Sequence, residues 1–261
     1  MATTRLATGS GKRVNYRKLA GMKKKAPRRP RVMKPSPALK SMVKSIVNST
    51  EEVNRINSLV DNGSALYNSL ISSGDVKYLL PTMVQGDTAY QRHGDRVTPK
   101  SLIVKLHVSP PTGSGGFPTI QVRIHFLKHK KFTNRATLGG NASTEVPKLL
   151  DNGSGTQLPY DGTILASQYQ LNTDIWTDIK TLNFTISKDN VSPTTGAPFR
   201  EFTVRIPCPK HLTYQDATAQ DPENFCPIML CGYMFPDGTA PDTVVPKLRV
   251  VSQSFFTYTD A

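Results

Sequence analysis

Acidic residues are missing from the first fifty positions, although the chain contains nineteen of them. Those fifty positions hold fourteen of the thirty-three Lys and Arg. Residues 51–261 carry nineteen charges of each sign, so the formal net charge of +14 lies wholly in the first fifty. A neutral body with a basic appendage is a different object from a uniformly basic protein. Cysteine is scarce: Cys208, Cys226 and Cys231, an odd and sparse set that argues against a disulfide framework and suits a reducing compartment. No run of eighteen apolar residues occurs, so no membrane-spanning helix is expected. The first thirty residues lack an apolar core segment, so no secretory signal is expected there.

Signatures of chemistry are also absent. There is no Gly-rich phosphate loop, no GxGxxG and no GxSxG. Five scattered histidines give no nucleophile–base pattern. His125 and His129 stand four apart on a predicted strand, a span of about 13 Å, which is too far for one zinc ion. Cys226 and Cys231 lack a second pair to complete a zinc site. Asp174 and Asp178, on either side of Trp176, read as loop caps rather than as a cation or sugar site. The expectation is therefore a protein that is not an enzyme, with no catalytic residue, no metal and no cofactor.

What is present begins with the arm, residues 1–36. Its cations are Arg5, Lys12, Arg13, Arg17, Lys18, Lys23, Lys24, Lys25, Arg28, Arg29, Arg31 and Lys34. A block of like charge with little apolar content repels itself, so the arm is expected to be disordered and to bind a polyanion. The Lys triplet and prolines 27, 30, 35 and 37 do not suit the amphipathic helix of an organelle transit peptide. These twelve cations are the expected nucleic-acid contacts. Lys23, Lys24, Lys25, Arg28, Arg29 and Arg31 also have the composition of a nuclear localisation signal.

Residues 37–75 read as a helical linker. Leu39, Met42, Val43, Ile46 and Val47 recur at helical spacing, and Val53, Ile56 and Val60 continue it loosely. Ser49 with Glu52 fits a capping box, so two short helices are possible. Such a segment could dock on the body or exchange with a neighbouring subunit.

Residues 76–261 read as all-β. Four segments alternate: Leu102, Val104, Leu106 and Val108; Ile120, Val122, Ile124 and Phe126; Leu182, Phe184 and Ile186; Phe202, Val204 and Ile206. Residues 226–235 are apolar on both faces, as in a central strand, and 247–259 form a long β-branched and aromatic strand. Weaker segments near 76–84 and 163–170 bring the count to eight. Long, uneven, turn-rich connections and the lack of a repeat suit an eight-stranded jelly-roll sandwich. On its polar faces, Lys105, His107, Arg123 and His125 would share a side if their strands pair in register. They would then form either a solvated face or a basic wall against phosphate, with Arg205 joining it.

Two stretches carry a resemblance. Residues 84–108 run VQGDTAYQRHGDRVTPKSLIVKLHV, with Gly86, Tyr90, Arg92, Gly94 and Val97 ahead of a strand. Residues 171–187 run LNTDIWTDIKTLNFTIS. Together with the basic arm, these resemble the capsid proteins of circovirus-like viruses with circular, Rep-encoding single-stranded DNA genomes. The arm is shorter and Lys-richer than in the avian and porcine members, and the helical linker is a departure. The resemblance implies a virion protein that self-assembles into an icosahedral T=1 shell of about sixty copies. It also implies single-stranded nucleic acid, DNA by this likeness, on the inward arm. Host nuclear import machinery, passage through the host nucleus and an unnamed host attachment factor follow from it too. A non-viral single-stranded nucleic-acid-binding protein is the alternative that the residues leave open.

Overall fold

The computed structural model describes residues 36–50, 53–88, 90–111, 118–187, 198–242 and 246–260. The twelve arm cations, and with them the nuclear localisation segment, lie outside the described residues. The chain divides into two units, Met1–Thr50 and Glu51–Ala261. In the first, helix α1 spans Pro37–Thr50. Ser36 caps it: its hydroxyl accepts from the Leu39 N–H at 3.1 Å, and Pro37 stands at the first helical position, where its missing N–H costs nothing. Leu39, Met42 and Val43 are exposed within this unit.

The second unit is all-β. Its strands are β1 (Asn54–Tyr67), β2 (Lys77–Tyr78), β3 (Arg96–Ser109), β4 (Ile120–His129), β5 (Leu150–Asp151), β6 (Gln157–Leu158), β7 (Gln170–Leu171), β8 (Trp176–Ile186), β9 (Arg200–Ile206), β10 (Leu212–Thr213), β11 (Pro227–Met234) and β12 (Leu248–Asp260). Helices α2 (Arg135–Glu145) and α3 (Ile164–Gln168) lie between β4 and β8. Sheet 1 runs β1-β12-β3, with β9 and β10 sharing the far edge of β3, and sheet 2 runs β2-β11-β4-β8. All pairings in these two sheets are antiparallel. Among the eight principal strands, sheet 1 takes the first, eighth, third and sixth. Sheet 2 takes the second, seventh, fourth and fifth. This is the order produced when a long antiparallel ribbon wraps round a barrel, and it defines a jelly roll.

The core lies between the sheets. Leu102, Val104, Leu106 and Val108 meet Ile120, Val122, Ile124 and Phe126 there, and Val204, Ile206, Met229, Tyr233 and Phe256 fill the remainder. The alternation expected for β3 and β4 therefore holds, and Ile186 is fully buried while Leu182 and Phe184 pack at its margin. Strand β11 is buried at every position. Its outward residues Ile228 and Leu230 lie under a cap formed by α2, α3 and the small sheet β6-β5-β7, with Leu138, Leu149, Tyr160 and Trp176 filling the contact. Gly232 allows this: a Cβ there would stand 2.8 Å from Ile71 and 2.9 Å from the Tyr160 ring.

Three expectations are corrected. Residues 54–67 are strand, not helix, so the helical linker ends at Thr50 and the β-body begins well before residue 76. The pairing of β1 with β12 overrides the weak helical spacing. Residues 163–170 are mostly helix α3, because the Thr163 hydroxyl caps the Ala166 N–H. The segment near 76–84 contributes only the two residues of β2. Eight principal strands are present, but β1 takes the place assigned to 163–170. Ile186→Asp would place an unpaired carboxylate in the core, so this variant is expected to lose its near-UV circular dichroism and cooperative melting; an unchanged melting curve would show that the inward phase of β8 is wrong.

Candidate functional site

The four residues expected to share a basic wall are not brought together. Lys105 and His107 lie on β3 in sheet 1, whereas Arg123 and His125 lie on β4 in sheet 2. The two strands do not pair, and each points its polar face away from the common core, so the pairs project from opposite sides of the sandwich. Local alternation assigns a residue to a face but not a strand to a partner.

On the sheet 2 side the polar residues are structural. His125 is 2% exposed beneath the cap, 3.1 Å from the Thr181 hydroxyl. Burial, helped by the charge of Arg123, pushes its imidazole down to about 3, so it stays neutral. Arg123 reaches the Ala166 carbonyl at 3.5 Å. His129 accepts at Nδ1 from the Lys131 and Phe132 N–H groups, at 3.0 and 2.9 Å, which leaves Nε2–H to donate to Glu145 at 3.2 Å. His129 thus fixes the turn from β4 into the cap. Among the described residues no cluster of His, Cys, Asp and Glu could hold a metal ion. A groove of about 380 Å³ at one end of the sandwich is lined by Lys128, His129, Lys130 and Cys208. Burial pushes the Cys208 thiol up to about 11, so it is protonated at neutral pH.

The motif residues at 84–97 also have structural work. Arg92 is fully buried. Its guanidinium donates to the carbonyls of Gly94, Asp216 and Ala219 and to the Asp95 carboxylate, and it lies 4.2 Å from the centre of the Tyr214 ring. One side chain therefore ties the loop before β3 to the loop before β11, with Tyr258 donating to the neighbouring Gln91 carbonyl. In the second stretch, Asn172 donates to the Lys148 carbonyl and accepts from the Asp174 N–H, which fixes the turn into β8, and Trp176 is fully buried under the cap.

The outer face of sheet 1 is different, because the cap covers only sheet 2. Register places five rows of side chains on it. Arg55 adjoins Thr257; Asn57, Phe255, Ile103 and Arg205 form the next row; Leu59, Gln253, Lys105 and Thr203 the next; Asn62, Val251, His107 and Glu201 the next; Leu66, Arg249 and Ser109 the last. Arg55, Lys105 and Arg205 are exposed, and no salt bridge holds them among the described residues. The Lys105 ammonium sits 5.2 Å from the centre of the Phe255 ring. The His107 ring stacks on Phe199 at 5.1 Å and lies 3.3 Å from Glu201. Phe199 is 51% exposed and Leu59 59% exposed. Such a face can attract phosphate and offer flat apolar surface beside it. Of these residues the sequence pointed to Lys105, His107 and Arg205. Phe255, Arg55 and Phe199 escaped because their place depends on knowing that β12 and β9 flank β3 and that β1 lies beyond β12.

Neither family models nor curated proteins give a match to the sequence. Among solved structures the chain is similar to one from a full particle of Israeli acute paralysis virus heated to 63 degrees. The TM-score is 0.30 and the identity 12%, over 99% of this chain and 81% of that one.

Neutral His125 makes stability depend on pH. An unfolded chain takes up a proton below about 6.5 that the folded chain refuses until about 3. Its contribution is complete above neutrality and is lost as pH falls through that window, by about 2 kcal/mol between pH 7 and pH 5. Thermal melts should show this loss, and His125→Gln should flatten the slope while lowering stability at pH 7. An equally steep slope in the variant would remove His125 as its source.

Proposed function

We propose that the chain is a viral capsid protein that self-assembles into a small icosahedral shell and packages a single-stranded genome through its basic arm. The observation that carries this reading is the division of charge. All the excess lies in residues 1–50, and the jelly-roll body that follows is neutral. Packing many copies edge to edge requires a wall that does not repel itself. Holding a genome requires affinity without sequence choice, which Lys and Arg contacts to phosphate supply. Contacts of this kind suit a packaged single strand, which has no regular geometry to match. The jelly roll also serves lectins and cupins, so the fold by itself does not choose the function.

The resemblance at 84–108 and 171–187 supports a finer form of the proposal. In it the shell has about sixty copies, the genome is single-stranded DNA, and residues 23–31 also engage nuclear import. Phosphate contact is the step that the arm must perform, and it is salt-dependent because each contact releases a counterion.

Replacing Lys23, Lys24, Lys25, Arg28, Arg29 and Arg31 with Gln is expected to leave the melting temperature of the body unchanged and to lower the nucleic-acid content of purified particles severalfold. The content is read from absorbance at 260 and 280 nm and by direct extraction. Particles of this variant with undiminished nucleic acid would contradict the role given to the arm.

A further inference from the structure

We propose that the outer face of sheet 1 is a second nucleic-acid contact, a platform on which unpaired bases stack. It is distinct from the arm and rests on the nucleic-acid-packaging reading for the identity of its ligand.

Three observations converge on it. The first is charge. Arg55, Lys105, Arg205 and Arg249 share this face, and Glu201 is the carboxylate that the register places among them. Glu201 sits at the edge, beside His107. Because residues 51–261 are neutral in sum, this is a local excess and not a reflection of a basic body. The second is the aromatic content. Phe255 lies at the middle of the face with an ammonium over its ring, and the Phe199–His107 stack lies toward the β9 edge. Flat rings next to cations on an open antiparallel sheet are the equipment with which sheet-based modules hold single strands. The rings take base faces and the cations take the backbone. A duplex has no free base faces to offer them. The third is the contrast between the two outer faces. The outer side of β11 in sheet 2 is covered by residues of the chain's own cap, with Ile228 and Leu230 buried beneath it. The outer face of sheet 1 holds Leu59 and Phe199 in solvent beside Arg55, Lys105 and Arg205, which are exposed and make no salt bridge among the described residues. A second copy of the chain is a poor occupant, because a two-fold contact of this face with itself would set its cations against one another.

The test uses the full-length chain with all fourteen Lys and Arg of residues 1–50 changed to Gln. The protein is kept at a concentration where light scattering shows no shells. Fluorescence anisotropy is recorded with a labelled oligothymidylate of about twenty nucleotides and with an abasic chain of the same length. The proposal expects the oligothymidylate to bind and the abasic chain to bind about tenfold more weakly. Adding Phe255→Ala and Lys105→Ala to the same chain should bring the oligothymidylate down to the abasic level without changing the melting temperature. Equal binding of both probes, no binding of either, or no effect of the two body substitutions would overturn the platform. None of those results bears on the capsid reading, which stands or falls on whether the unaltered chain forms a shell.

Discussion

The pairing of β12 with both β1 and β3 is the constraint on which the body depends. Strand β12 is hydrogen-bonded along nearly its whole length on both sides, so the first and last strands of the body lie next to each other. That closure forces the chain between them to wrap, and the wrapping yields the interleaved strand order of the two sheets. It also brings residues nearly two hundred positions apart onto one surface: Asn57 beside Phe255, and Leu59 beside Gln253. Arg92 secures the same arrangement at one end, where a buried guanidinium gathers carbonyls from two distant loops. Removing such a group leaves several buried acceptors without donors, so a buried arginine in this position acts as a bolt.

From that closure the two sides of the sandwich diverge. In sheet 2 the apolar outer side of β11 is covered by the long excursion between β4 and β8, which leaves β11 buried on both sides. Sheet 1 has no such cover among the described residues of its own unit, and its outer face mixes cations, rings and aliphatic groups. Charge is divided a second time along the chain, between the arm and the body. Both asymmetries suit a molecule that must pack beside copies of itself and also hold a polyanion.

Much of the fold is legible in the sequence because alternation is a local property. Leu102 to Val108 and Ile120 to Phe126 show it over whole strands, and residues 226–235 show continuous apolar character that matches a strand buried on both faces. Strand β1 is not legible because it is irregular. Register shifts between Leu59 and Asp61 and between Asn62 and Leu66 break its period, Gly63 adopts a positive φ of 75°, and its inward positions include Ser58 and the buried Asp61. Its few apolar residues then mimic a helical repeat. The candidate site fared less well because it depends on pairing. Lys105 and Arg123 sit in equivalent-looking patterns, yet one lies on an open sheet and the other beneath a cap. Arg92 was visible as part of a motif, but its burial could be known only once the loops around it were placed. The arm is an expectation from composition, twelve cations without a carboxylate in residues 1–36, and its cations lie outside the described residues.

The central claim is that this chain builds a closed shell around nucleic acid. Size-exclusion chromatography with in-line light scattering, recording absorbance at 260 and 280 nm, tests it most directly. The account predicts a megadalton species whose absorbance ratio is that of a nucleoprotein. A monomer or dimer that stays small when single-stranded nucleic acid is added would contradict it.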